Sequence, residues 1–287
     1  MTSPAATLRN LLNQPGLIIA PGCYDAISGK LIEAADFKVA YMTGFGTSAS
    51  VLGMPDAGLI SFTEMATHAG NIANALNIPL IADGDTGYGN AMNVFRTVRA
   101  YSRAGIAALH LEDQQFPKKC GHVEGKKIVS MEEMVGKLHA AADARAEQDI
   151  IVIARTDARA TDGVDEALKR SQAYHKAGAD IIFFEAPQSL EEIELVGKEI
   201  KAPLLFNMAI GGKTPFVPPA QLEKMGYKLA IYPVTLLKSA VKAISNTLEA
   251  LKSNPETEPG SGDVSFDEIK TLVGFPEYYA KEKKYSS

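Results

Sequence analysis

Two short acidic clusters carry the strongest chemical signal in the sequence, Asp83-Gly84-Asp85 and His110-Leu111-Glu112-Asp113. Each follows a short apolar run, so Asp83, Asp85 and Glu112 are expected at the ends of neighbouring strands. Three carboxylates brought together repel, and protons or a cation must relieve the repulsion. Oxygen-only ligands favour a hard ion, and Mg2+ typically takes one or two carboxylates together with waters and substrate. The plainer alternative is that one carboxylate caps a helix and another pairs with Arg155. A second signal is the polar stretch Gln114-Gln115-Phe116-Pro117-Lys118-Lys119-Cys120-Gly121-His122. A thiol beside lysine, two positions before a histidine, suits acid/base or nucleophilic work, unless it is a chance surface cysteine. Gly121 and Gly125 suggest a loop that moves over a site as a lid. Thr43-Gly44-Phe45-Gly46-Thr47-Ser48 offers backbone N–H groups and hydroxyls that could hold a carboxylate or phosphate. Cys23 reads as buried and inert. His110 reads as a core histidine, and His68, His139 and His175 as packing or surface residues.

These residues need elements to position them. Continuous apolar runs fall at 17–20, 39–42, 79–82, 107–111, 150–154, 181–184, 203–206 and 229–232. An unbroken run of that length fits a strand buried on both faces, as in a parallel sheet. Helical periodicity fills the gaps at 26–35, 63–76, 91–104, 131–145, 164–176, 190–199 and 219–225, with a long helix at 236–252. Gly105, Gly178 and Gly226 stand where helices end, and Ser130 followed by Glu133 makes a helix start. Eight strands alternating with helices predict an α/β fold of the (β/α)8 TIM-barrel type. An open doubly wound sheet would put a Gly-rich phosphate turn after the first strand. Pro21-Gly22-Cys23-Tyr24-Asp25 is no such turn. Five of the eight runs end in a charged or amide residue, among them Arg155, Glu185 and Asn207. In a barrel such positions face the shared mouth, and each is costly there unless paired or bound to something. The expected division is a catalytic barrel over 1–252, its last helix included, and a linker and C-terminal extension over 253–287.

Composition sets the outer bounds. The chain has 287 residues, 46% hydrophobic and 22% charged, with net charge −5. That balance excludes a largely disordered chain and gives no global reason to seek nucleic acid or anionic lipid. Two cysteines exclude a disulfide scaffold and fit a reducing compartment. No apolar run approaches the ~20 residues of a membrane span, and no signal peptide is read at the start. The expectation is a cytoplasmic protein with no nucleic-acid or membrane partner.

Lys118-Lys119-Cys120-Gly121-His122 resembles the lyase signature of the isocitrate lyase/phosphoenolpyruvate mutase superfamily. The stretches 41–46, 55–56, 83–89, 110–114, 154–157 and 211–215 support the resemblance, which covers about residues 5–250. Its nearest branches are the methylisocitrate lyases, the 2,3-dimethylmalate lyases and the carboxyphosphonoenolpyruvate mutases. The resemblance implies a homotetramer in which the last barrel helix is swapped with a partner subunit. It implies Mg2+, with Mn2+ as an alternative, on Asp85, Asp83 and Glu112. It implies a small carboxylate substrate held by Thr43, Gly44, Phe45, Asp56, Lys119, Gly121, His122, Asn207, Thr214 and Pro215. Cys120, Arg155, Tyr41 and Glu185 would carry the catalysis, with Cys120 as general acid. The implied reaction is cleavage of a 2-hydroxy di- or tricarboxylate to pyruvate or another 2-oxo acid plus a second acid. Phosphonomutase and oxaloacetate hydrolase or decarboxylase chemistry are alternatives on the same site, and a silent binding barrel is a further one. No strand ends in lysine, which disfavours a Schiff-base aldolase. Ile210 stands where many relatives carry Glu, and an apolar side chain there is expected to favour an alkyl-substituted malate over a tricarboxylate.

Overall fold

A computed structural model describes residues 2–121, 123–146, 149–254 and 264–286. The strands are β1 (Ile18–Cys23), β2 (Ala40–Met42), β3 (Leu80–Asp83), β4 (Ala108–Glu112), β5 (Ile151–Thr156), β6 (Ile181–Phe184), β7 (Leu204–Asn207) and β8 (Tyr227–Tyr232). All pair in parallel in chain order, and β1 pairs with β8 to close the barrel, Ile18 beside Leu229 and Pro21 beside Tyr232. The predicted barrel is the one observed.

The helices are α1 (Pro4–Leu12), α2 (Ala26–Ala34), α3 (Gly44–Thr47), α4 (Phe62–Ala75), α5 (Ala91–Arg103), α6 (Met131–Ala146), α7 (Ala158–Thr161), α8 (Val164–Lys176), α9 (Leu190–Glu199), α10 (Pro219–Lys224), α11 (Thr235–Ser253), α12 (Phe266–Leu272) and α13 (Phe275–Tyr285). Their starts follow from cap chemistry: the side chains of Asp25, Ser61 and Asn90 accept backbone N–H bonds from the first turn, and each residue's own backbone N–H donates to the side chain three positions on.

Each strand serves two cores, because successive side chains point to opposite faces. Ala20, Ile81, Ile151, Ile153, Phe183, Leu205 and Ile231 fill the barrel interior. Met42, Ala82, Leu109, Val152, Ile182 and Leu204 face the helix layer. The same period of two carries the polar residues. Asp83 follows Ile81, Arg155 follows Ile153, Glu185 follows Phe183 and Asn207 follows Leu205, each two positions on. All therefore project inward at the carboxyl end of the barrel, where the chemistry of this architecture resides.

Helix α1 was not anticipated from the sequence. Ala5 and Leu8 are fully buried in the interior core, with Leu11 and Leu12 packed beside them, so α1 stoppers the barrel. Ser3 caps it by accepting from Ala6 N at 3.0 Å, and Ser3 and Arg9 both bond to Asp149. At the other end of the chain, α11 buries none of its residues, and Val241, Ile244, Leu248 and Leu251 form an exposed stripe along it. Among the described residues, no helix is long and apolar enough to cross a membrane.

Candidate active site

The carboxyl ends of the strands surround a cavity of about 280 Å3. This lies near the lower end of the ~300–1,000 Å3 typical of small-molecule sites. Tyr41, Thr43, Asp83, Arg155, Glu185 and Asn207 line it from the strands. Phe45 lines it from α3, Asp56, Cys120 and Gly121 from loops, and Ile210, Leu237 and Lys238 add to the wall.

Arg155 is the electrostatic centre. Its Nε donates to Asp157 Oδ2 at 2.9 Å and its Nη2 to Asp157 Oδ1 at 3.1 Å. Glu112 Oε2 lies 3.4 Å from Nε and Glu185 Oε1 lies 3.8 Å from Nη2. The guanidinium also stands 5.0 Å from the Phe183 ring centre. Burial pushes the guanidinium down, but Asp157, Glu185 and Glu112 outweigh it and hold it well above its usual range. Burial likewise pushes Asp157 up, and Arg155 and Lys126 beside it hold the carboxyl below the normal carboxylate range.

Asp83 is fixed by the backbone. It accepts from Gly44 N at 3.2 Å and from Asp85 N at 2.9 Å, and His110 Nε2 lies 3.4 Å away. The same imidazole nitrogen lies 2.9 Å from the Tyr41 hydroxyl. Burial and the charge of Asp83 push the Tyr41 phenol well above its usual value, so it stays a hydrogen-bond donor rather than a base. Burial raises both Asp83 and Asp85. In Asp83, His110, Lys118 and Arg155 reverse the effect. In Asp85, Lys118 does not, and the carboxyl is pushed up to about 6. Burial also pushes Glu112 well above its usual value, and its Oε1 has no hydrogen-bond partner among the described residues.

Lys118 was not singled out as a site residue from the sequence. Its ammonium is buried 2.5 Å from Asp56 Oδ1 and 2.8 Å from Asp85 Oδ1, without hydrogen-bond alignment at the latter. The buried site thus sets Asp56, Asp83, Asp85, Glu112, Asp157 and Glu185 against Lys118, Lys126 and Arg155. Among the described residues, no three acidic, His or Cys side chains converge as a ready cage for a metal ion. The donor set nevertheless fits Mg2+, which needs only one or two carboxylates beside water and substrate. The carboxylate surplus and the orphaned Glu112 oxygen are what a divalent ion would satisfy. Of the three expected ligands, Asp85 and Glu112 offer oxygens, whereas both Asp83 oxygens already accept backbone N–H bonds.

Several residues expected to contact substrate stand apart from the cavity. The Gly44 amide serves Asp83 and does not line the cavity; a Cβ at Gly44 would lie 2.2 Å from Asp83 Oδ2. Lys119 is exposed and donates to the Glu124 carbonyl at 3.4 Å, and the Gln114 side chain holds its backbone N–H and carbonyl. Thr214 and Pro215 are absent from the cavity wall, where Ala209, Ile210, Gly211 and Gly212 stand instead. His122 lies outside the described residues. Cys23 is fully buried, and burial pushes its thiol up to about 12, as its inert assignment requires. Lys118, Lys126 and Asp157 were missed as site residues. The signal available for the lysines was three cations in the lid loop besides Lys119.

The phosphoenolpyruvate phosphomutase family profile matches residues 8–252. The chain is 48% identical to the 2,3-dimethylmalate lyase of Eubacterium barkeri, over 99% of this chain and 98% of that protein. It is 41% identical to a 2-methylisocitrate lyase of Aeropyrum pernix, over 99% and 91%. The crystal structure of a phosphonopyruvate hydrolase complexed with oxalate and Mg2+ superposes with a TM-score of 0.90, at 32% identity and full coverage of both chains. The chain therefore belongs to the phosphoenolpyruvate phosphomutase family and is an enzyme of the PEP mutase/isocitrate lyase superfamily, a carbon–carbon lyase.

Proposed function

We propose that the chain is a Mg2+-assisted lyase that cleaves an alkyl-substituted 2-hydroxy dicarboxylate, of the 2,3-dimethylmalate type, to a 2-oxo acid and a second carboxylic acid. The observation that carries this reading is one cavity shared by Cys120, Arg155 and an apolar wall of Phe45, Ala209, Ile210, Val234 and Leu237. Asp85 and Glu112, with Asp83 and Asp56 directly or through water, would hold Mg2+, which when bound would supply Lewis acidity toward the substrate's 2-hydroxyl and carboxylate. Arg155 and the Tyr41 hydroxyl hold the oxygen that becomes the 2-oxo group. Thr43 and Phe45 border one substrate carboxylate. As the carbon–carbon bond breaks, its electron pair stays on the departing acid. Cys120 Sγ delivers a proton to that carbon, and over the full turnover the hydroxyl proton replaces the one delivered. The lysine pair Lys118 and Lys126 keeps the carboxylate-rich site from repelling an anionic substrate.

The apolar wall argues against a third carboxylate. Ile210 contributes no donor, and its carbonyl takes a bond from Lys238 Nζ at 3.3 Å. In a release assay for pyruvate and glyoxylate with Mg2+, kcat/KM for an alkylmalate is expected to exceed that for methylisocitrate by at least about tenfold, the scale of one buried alkyl group. Ile210→Glu is expected to narrow the ratio. Preference for methylisocitrate by the parent enzyme refutes the substrate assignment, and turnover of phosphonopyruvate-type compounds alone favours the mutase.

The reading extends to assembly. The exposed stripe of α11 supports a helix swapped onto a second copy within a homotetramer; residues 253–287 remain assigned as linker and C-terminal extension, of which 255–263 and 287 lie outside the described residues. Sedimentation is expected to give the mass of four chains; a monomer would refute the swap.

A further inference from the structure

Lys126 sits in the lid between β4 and α6, and its neighbours Val123, Glu124, Gly125 and Lys127 are exposed. Its own side chain is only 1% exposed. A lysine placed in a surface loop gains nothing by burying an ammonium, which costs several kcal/mol unless the charge is met. Here it is met twice. Nζ donates to Asp157 Oδ1 at 2.9 Å and to the carbonyl of Gly121, the residue after Cys120.

The anchor is rigid. The Asp157 backbone N–H donates to Asp113 Oδ1 at 2.8 Å. Asp113 Oδ2 in turn accepts from Thr156 Oγ1 and the Tyr174 hydroxyl at 2.8 Å each, and from Arg170 at 3.2 Å. The far end is equally confined. A Cβ on Gly121 would stand 2.2 Å from Glu185 Oε1 and 2.4 Å from Arg155 Nη2, so the lid backbone lies directly on the site. The lid base is pinched separately, by Gln115 N to Lys127 O at 2.8 Å and by pairing of Gln114 with Ile128. Those contacts hold the root of the loop, not its tip.

We propose that Lys126 is a positioning residue, the latch that seats Cys120 over Arg155 by spanning Asp157 and the Gly121 carbonyl. The latch has an electrostatic consequence. With Lys126 engaged, Asp157 shares one negative charge between two cations, and Arg155 keeps more of its charge for a substrate carboxylate. Lid seating and carboxylate binding at Arg155 therefore reinforce each other, as linkage requires. The catalytic part of this inference rests on the lyase reading; the seating of the lid does not.

Iodoacetamide alkylation of the full-length protein tests it, with each cysteine followed separately by mass spectrometry. Cys120 reports the lid, and buried Cys23 reports general loosening. Lys126→Met is expected to speed Cys120 alkylation by about tenfold or more, the loss of one charge-assisted bond, with Cys23 unchanged. Oxalate with Mg2+ is expected to protect Cys120 well in the parent and poorly in the variant. Lys126→Arg is expected to restore protection in part, and KM for the substrate is expected to rise as kcat falls. Lys126→Gln, which keeps a donor for the Gly121 carbonyl but no charge, carries the comparison if the Met variant does not fold. An unchanged Cys120 rate, or a parallel rise at Cys23, overturns the latch. Altered alkylation in an enzyme that cleaves no 2-hydroxy acid would leave the latch standing and remove the lyase reading.

Discussion

Cys120→Ser is expected to lower kcat by about 10²–10⁴, the range that a positioned proton donor contributes, while oxalate binding with Mg2+ persists. The separation follows from geometry. Cys120 reaches the cavity from the lid, whereas Arg155 and Tyr41 come from the barrel strands and Thr43 from the residue directly after β2. Ground-state binding of a small carboxylate therefore has its strand-borne contacts without the thiol. Serine keeps nearly the same shape but is a far weaker acid than a thiol, so the loss should fall on proton delivery to carbon rather than on packing. Isothermal titration with oxalate and steady-state release of the 2-oxo acid measure the two halves. Unchanged turnover would remove Cys120 from the mechanism, and lost oxalate binding would show that the thiol shapes the site instead.

Arg155→Met is expected to cost both chemistry and stability. The guanidinium compensates Asp157 through two hydrogen bonds and stands beside Glu112 and Glu185, all buried. Removing one partner of a buried ion pair leaves an uncompensated charge, an effect of about 3–5 kcal/mol. Thermal unfolding should show a clear fall in Tm. Loss of the positive group at the substrate oxygen is expected to lower kcat/KM by a further factor on the order of 10²–10³. Arg155→Lys separates the two effects. It retains a charge near Asp157 but not the fork that takes both carboxylate oxygens, so stability should recover more than activity. A methionine variant with the parent's Tm would contradict the role of Arg155 as the site's compensating charge.

The barrel was legible because parallel strands buried on both faces leave unbroken apolar runs, and all eight runs became strands. The mouth was legible because each polar residue stands two positions past an interior one, as Arg155 does past Ile153 and Glu185 past Phe183. What was not legible depends on distances across the fold. Nothing local distinguishes Lys118 and Lys126, which are buried, from Lys119, which is exposed. Their carboxylate partners lie on other elements, so only tertiary structure assigns them. Gly44 was placed against substrate because its N–H looked available, but Asp83 claims it. Helix α1 was missed because its apolar residues fill a barrel end that exists only once the barrel has closed.

That dependence orders events in time. The seam between β1 and β8 joins residues 18–23 to residues 227–232. Leu8 has its interior neighbours only after that seam forms. During synthesis α1 leaves the ribosome ahead of the strands and must wait for nearly the whole barrel before it can dock. For that interval its leucines are exposed on a short helix with no partner of its own, a segment that a chaperone can grip and a crowded neighbour can capture. Helix α1 is thus made before the strands it plugs and docks only after they have closed.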